Sequence, residues 1–166
     1  YNYIHWFSPN KRMVLKPEEM KVSKSLKKSI LNKGFVIKSN ENFEAVMRNC
    51  SNIKRKHEDS TWISEEFIQA YTDLHHLDIA FSIECYLDEE LVGGLYGLLI
   101  GDVFCGESMF AKVTDASKVA FYHLCQQAEK NGIKLIDCQV YNDHLASLGA
   151  HEITREDYFK ILKESF

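Results

Sequence analysis

FSIECYLDEELVGGLYGLLIGDVFCGESMF, residues 81–110, is the stretch that sets the fold. Aromatic, β-branched and aliphatic runs are cut at DEE (88–90) and IGD (100–102), which predicts a meander of about three strands joined by tight turns. Gly93, Gly94 and Gly97 fall inside the middle run, where glycine marks a bulge or a close backbone approach. A sheet of this kind needs helices to cover it, and the flanking sequence supplies them.

Downstream, Thr114 or Asp115 opens a long helix with Val119, Phe121, Leu124 and Ala128 on its inner side, ending at Asn131-Gly132. A strand from Ile133 to Val140 follows. The capping box Thr154-x-x-Asp157 starts a last helix carrying Phe159, Ile161 and Leu162. Upstream, residues 11–22 read as extended or looped, and Ser23 caps a helix over about 24–32 whose Leu26, Ile30 and Leu31 share one side. Phe35-Val36-Ile37 reads as a buried strand. Further helices begin near Asn40, using Phe43, Val46 and Met47, and after Ser64, using Phe67, Ile68, Tyr71 and Leu74, with a polar loop at 51–60 between them. The predicted class is α+β, an α/β sandwich whose mixed, largely antiparallel sheet is flanked by helices. This order resembles the GNAT acyltransferase fold.

At 166 residues, with 45% hydrophobic and 27% charged residues, the chain suits one domain with a single core and no long disordered tract. Five scattered cysteines with no C-x-x-C pair suit neither a disulfide framework nor a zinc site, and predict reduced thiols in a cytoplasmic protein. No apolar run approaches a membrane span and no signal-peptide pattern opens the sequence. Residues 1–60 hold 13 Lys/Arg against 6 Asp/Glu, whereas 61–166 hold 7 against 18. That polarity fits a phosphate-binding face beside an acidic body, or ordinary solvated helix faces.

LIDCQVYNDHLASLGA (135–150) carries the chemistry. Strand alternation places Leu135, Asp137 and Gln139 on one face and Ile136, Cys138 and Val140 on the other. An acid and an amide thus point the same way from a strand otherwise fit for burial. They are either a hydrogen-bonded buried pair or part of a reactive site.

These motifs, FCGESMF (104–110), KLIDCQV (134–140), Asn142-Asp143 and ASLGA (146–150), resemble the leucyl/phenylalanyl-tRNA:protein transferases. TWI (61–63), Ala70-Tyr71, FSIE (81–84), ELVGGLYG (90–97) and ASK (116–118) match the same family in the same order. The resemblance implies transfer of Leu or Phe from aminoacyl-tRNA to the α-amino group of an N-terminal Arg or Lys of an acceptor protein, marking it for N-degron degradation. It implies no cofactor and no metal, aminoacyl-tRNA being the co-substrate; a monomer is expected. Asp137 and Gln139 match the pair to which the family assigns catalysis. Glu107 and Asn142 are expected to position substrate or to tie down loops, and Phe104, Met109 and Ile136 to line an apolar pocket for the donor side chain. Trp62 and Tyr71 match aromatics near the aminoacyl-adenosine end, and Lys21, Lys24, Lys27 and Lys28 match basic residues facing the tRNA.

The family's upstream segment, ending in an aromatic Pro-Trp motif, is not in the sequence. Residues 1–22 are therefore expected to be an extended lead-in, the remnant of an N-terminal domain, before a transferase domain over 23–166. Two other readings compete. A coenzyme A-dependent N-acetyltransferase would share the fold, but AKVTDASK (111–118) lacks the glycines of a pyrophosphate turn. A tRNA- or N-terminus-binding relative without catalysis would keep the surface but not the acid and amide.

Overall fold

In the computed structural model, residues 7–53 and 63–165 are described, and the chain enters on strand β1 (Lys11–Leu15). A single 3-10 turn over Pro17–Glu19 leads to α1 (Lys24–Asn32), where the Ser23 hydroxyl accepts the Leu26 N–H as the sequence predicts. Strand β2 (Val36–Ser39) is followed by α2 (Phe43–Ser51), and Ser64 then caps α3 (Glu65–His76). The meander forms as read: β3 (Ala80–Leu87), β4 (Glu90–Ile100) and β5 (Val103–Ala111). Helix α4 (Ala116–Lys130), strand β6 (Leu135–Gln139), the short α5 (Asp143–Ser147), strand β7 (His151–Thr154) and α6 (Arg155–Lys163) complete the described chain.

The seven strands lie in the order β2-β3-β4-β5-β6-β1-β7. All neighbours are antiparallel except β5 and β6, which run parallel. The sheet is mixed and largely antiparallel, as predicted. On one face α4 and α1 cover Leu95, Phe104, Val119, Phe121 and Ile136. On the other, α2 and α3 cover Phe43, Val46, Ile68 and Tyr96, and α6 covers Val14, Val103, Leu135 and Tyr158.

Three expectations need correction. The boundary at residue 22 does not divide the sheet, because β1 is an inner strand between β6 and β7, with Met13, Val14 and Leu15 buried. Residues 11–15 bury three apolar side chains in a row, a pattern without alternation that is not read as half-buried strand. Phe35-Val36-Ile37 is not fully buried: β2 is an edge strand and Val36 is 55% exposed. Leu31 also faces solvent, since α1 rests on the sheet side through Leu26, Ser29 and Ile30.

Gly93 is required by the packing of α4. A Cβ there would stand 2.6 Å from Ala116 Cβ and 2.8 Å from its carbonyl carbon, so the start of α4 can rest on β4 only above a glycine.

Candidate active site

Strands β5 and β6 pair only through Val103–Leu135, Phe104–Ile136 and Cys105–Asp137. Beyond these pairs they separate, and a cavity of ≈ 440 Å³ occupies the gap. Its apolar wall comes from Leu95, Phe104, Met109, Phe121, Leu124, Ile136 and Leu145, and its polar part from Glu107, Ser108, Asp137, Gln139 and Asn142. The three residues predicted to line an apolar pocket, Phe104, Met109 and Ile136, are thus brought together.

Alternation along β6 holds from Leu135 to Cys138: Leu135 and Asp137 share the α6 face, while Ile136 and Cys138 face α4. Gln139 departs from it. Its φ is +66°, a left-handed conformation that ends the strand and swings the side chain across the gap, where Nε2 donates to the Gly106 carbonyl at 2.8 Å.

The Asp137 side chain is fully buried. Arg12 Nε donates to Oδ1 at 2.9 Å and to Oδ2 at 3.0 Å, and Nη2 donates to Oδ2 at 2.6 Å. The Tyr158 hydroxyl donates to Oδ2 at 2.9 Å, and the Gln139 backbone N–H to Oδ1 at 2.8 Å. The Arg12 guanidinium lies 5.0 Å from the centre of the Tyr158 ring. Burial alone would lower the Arg12 pKa, but the hydrogen bonds and charge of Asp137 outweigh it and the net shift is upward. Burial, followed by the charge of Asp137, pushes the Tyr158 hydroxyl far up, so it is a donor at any working pH.

Glu107 occupies a β-bulge. Tyr96 pairs with Ser108 and Gly97 with Gly106, leaving Glu107 as the extra residue, re-aimed into the cavity. Burial raises its pKa above the usual carboxylate range, opposed by Gln139 and Tyr71, both of which interact with it. The Tyr71 hydroxyl is shifted up by burial and then by Glu107. Tyr71 therefore stands beside Glu107, its ring T-shaped to that of Tyr96 at 5.7 Å, rather than in the cavity wall itself.

Asn142 lines the cavity but also caps α5, its side-chain oxygen accepting the His144 and Leu145 N–H groups. Trp62 lies outside the described residues. Lys21, Lys24, Lys27 and Lys28 are exposed, on and just before α1. The Lys21 N–H donates to the Leu148 carbonyl at 2.8 Å, which ties this basic segment to the end of α5, whose Leu145 is cavity wall. Among the described residues no group of three or more His, Cys, Asp or Glu side chains is placed to hold a metal ion. All five cysteines are free thiols, and burial pushes Cys138, at the cavity, up to about 12. No helix is long and apolar enough to cross a membrane among the described residues.

The sequence reading missed Arg12, Tyr158, Leu124, Leu145 and Ser108. Arg12 carried no local signal, being an isolated cation in an extended segment. Tyr158 did carry one, since it follows the capping box at the first inward position of the last helix.

A mixed sheet splayed between two parallel strands, with a cavity in the splay, defines the class of fold as GNAT-like. FemX superposes with a TM-score of 0.67 at 11% identity over 90% of this chain and 60% of its own, and a GCN5-related N-acetyltransferase from Kribbella flavida with 0.51 at 13% over 86% and 53%. Residues 14–163 match the family model described as leucyl/phenylalanyl-tRNA protein transferase, and the chain belongs to that family. Leucyl/phenylalanyl-tRNA–protein transferases from Flavobacterium johnsoniae and Nitrosospira multiformis are 52% and 51% identical to it. The alignments cover 96% and 97% of this chain and 76% and 69% of those proteins.

Proposed function

We propose that the chain is an aminoacyltransferase that moves Leu or Phe from aminoacyl-tRNA to the α-amino group of an acceptor protein beginning with Arg or Lys. It would act in the cytoplasm, where charged tRNA is available, and mark the acceptor for degradation. The observation that carries the reading is the cavity between β5 and β6, apolar on one wall and bearing Glu107 and Gln139 on the other. The apolar wall suits a Leu or Phe side chain, and flexible Met109 suits a pocket that takes both shapes.

The donor ester is already activated, so the protein has to align a neutral amine with the carbonyl carbon and disperse the charge that develops. The amine nitrogen bonds to that carbon, the ester C–O bond breaks, and the amine's proton ends on the ribose hydroxyl that leaves. Gln139 supports this step as an orienting group. Its Nε2 is committed to Gly106, which leaves Oε1 as an acceptor for an amine N–H. Glu107 supplies the carboxyl group that faces the cationic side chain of the acceptor's first Arg or Lys, since Asp137 is already paired with Arg12. The exposed lysines of α1 meet tRNA phosphates, contacts that read shape more than sequence.

A single-turnover assay with Leu-charged tRNA and a peptide starting with Arg tests this reading. Appearance of the Leu-extended peptide is the expected result. Hydrolysis of the ester without extension, or no loss of ester at all, would overturn it.

A further inference from the structure

Asp137 reaches the cavity, yet its carboxylate has little left to offer a substrate. An ionised carboxylate has about four lone-pair sites, and here five contacts from Arg12, Tyr158 and the Gln139 N–H fill them. Neither Arg12 nor Tyr158 lines the cavity. Arg12 comes from β1 and Tyr158 from α6, and Tyr158 belongs to the core patch on the sheet face opposite α4. The carboxylate is thus drawn to that side of the sheet and held there.

Its one contact with the reactive part of the site is the Gln139 N–H at 2.8 Å. Gln139 is a non-glycine residue at φ +66°, a backbone state that persists only where the surroundings impose it. In that state the side chain crosses the gap to the Gly106 carbonyl beside Glu107. Asp137 supplies the acceptor that fixes the turn, while Arg12 and Tyr158 fix Asp137.

We propose that Arg12 and Tyr158 are positioning residues for transfer: they clamp Asp137 so that its carboxylate holds Gln139 in the left-handed conformation that presents the amide to the attacking amine. The inference rests on the transferase reading for its kinetic consequence, but its structural half stands independently. A purely stabilising cluster would have no reason to end on the backbone of a residue whose side chain bridges β5 and β6 at the cavity. Buried ion pairs are in any case weak stabilisers compared with apolar packing.

Tyr158→Phe is the sharpest test, because it deletes one hydrogen bond and keeps the ring beneath Arg12. We expect kcat to fall about tenfold, the size of losing one hydrogen bond to a charged group, with KM for aminoacyl-tRNA and for the acceptor peptide unchanged. Amide hydrogen exchange at Gln139 should speed up in the same variant. In a Gln139→Ala background the kcat effect of Tyr158→Phe should vanish, since the two act in series. Arg12→Lys, which keeps charge but not the forked geometry, should show the same pattern. An equal drop with and without Gln139, or unchanged exchange at Gln139, would overturn the assignment. Wild-type protein that transfers nothing would sink the transferase reading instead, and the exchange measurement, which needs no activity, still decides the positioning claim.

Discussion

Glu107 shows how one extra residue in a strand creates a site. With Tyr96 paired to Ser108 and Gly97 to Gly106, its side chain leaves the regular alternation and enters the cavity, where burial holds its pKa above the ordinary carboxylate range. A carboxyl with a raised folded pKa keeps its proton in the native state at pH values where the unfolded chain has lost it, so ionisation at higher pH works against folding. The stability of Glu107→Gln relative to wild type should therefore rise as pH climbs through the carboxylate range and level off above it. Thermal melts from pH 3.5 to 7.5, on the order of the range over which a raised carboxyl titrates, check this, and a pH-independent difference would refute it. Met109 is argued from packing alone. Met109→Ala should shift the Leu-to-Phe preference by about 1–3 kcal/mol in kcat/KM, as expected for reshaping an apolar specificity pocket. Equal loss for both donors would remove Met109 from the pocket. Asp137→Asn, which by size alone would be expected to spare the fold, leaves the Arg12 guanidinium without its carboxylate in a site where Asp137 is fully buried. Loss of about 3 kcal/mol in urea denaturation is expected, alongside loss of transfer.

At the scale of elements, the two best-read helices are those with local signals. Ser23 before α1 and Thr154 before α6 both accept the N–H three residues on, because a cap needs only nearby groups. The start of α4 behaves differently. Asp115 sits at the N-cap position with φ +72° and makes no capping bond; its carboxylate accepts instead from Ser29 of α1 at 2.7 Å and lies 3.7 Å from Lys33 and 3.4 Å from Lys118. The helix start is held by contact with α1 and by the glycine beneath it rather than by its own cap. Gly93→Ala should accordingly cost about 3 kcal/mol, the upper end for overpacking, because the new Cβ meets backbone and not a flexible tip. A urea midpoint within error of wild type would show that α4 can move off the sheet freely.

For the whole molecule, charge polarity and topology act together. The excess of Lys and Arg in residues 1–60 is carried partly by the exposed face of α1, and Lys21 just before that helix is bonded through its N–H to the Leu148 carbonyl at the end of α5, whose Leu145 lines the cavity. If Lys24 and Lys28 each neutralise one tRNA phosphate, replacing both with alanine should reduce the slope of log affinity against log salt by about 1.5. Filter-binding across a salt series measures it, and an unchanged slope would take α1 off the tRNA path.

Local periodicity and short motifs encode the meander and its turns, the caps of α1 and α6, the shared face of Leu135 and Asp137, and the family motifs that contain Phe104, Glu107, Met109, Ile136 and Gln139. The sequence by itself also marks Gly93 and Gly97 as places of close approach, without saying to what. Long-range packing sets residues 11–15 as an inner strand, parts β5 and β6 after Cys105 and Asp137, and turns Glu107 into the gap at a bulge. The same holds for the partner of Asp137. Arg12 lies 125 positions away, and no periodicity or capping rule links residues so distant. Such pairs are set by strand order, and strand order is fixed by how whole faces of helices and sheet bury one another, a property of the assembled core and not of any window of sequence.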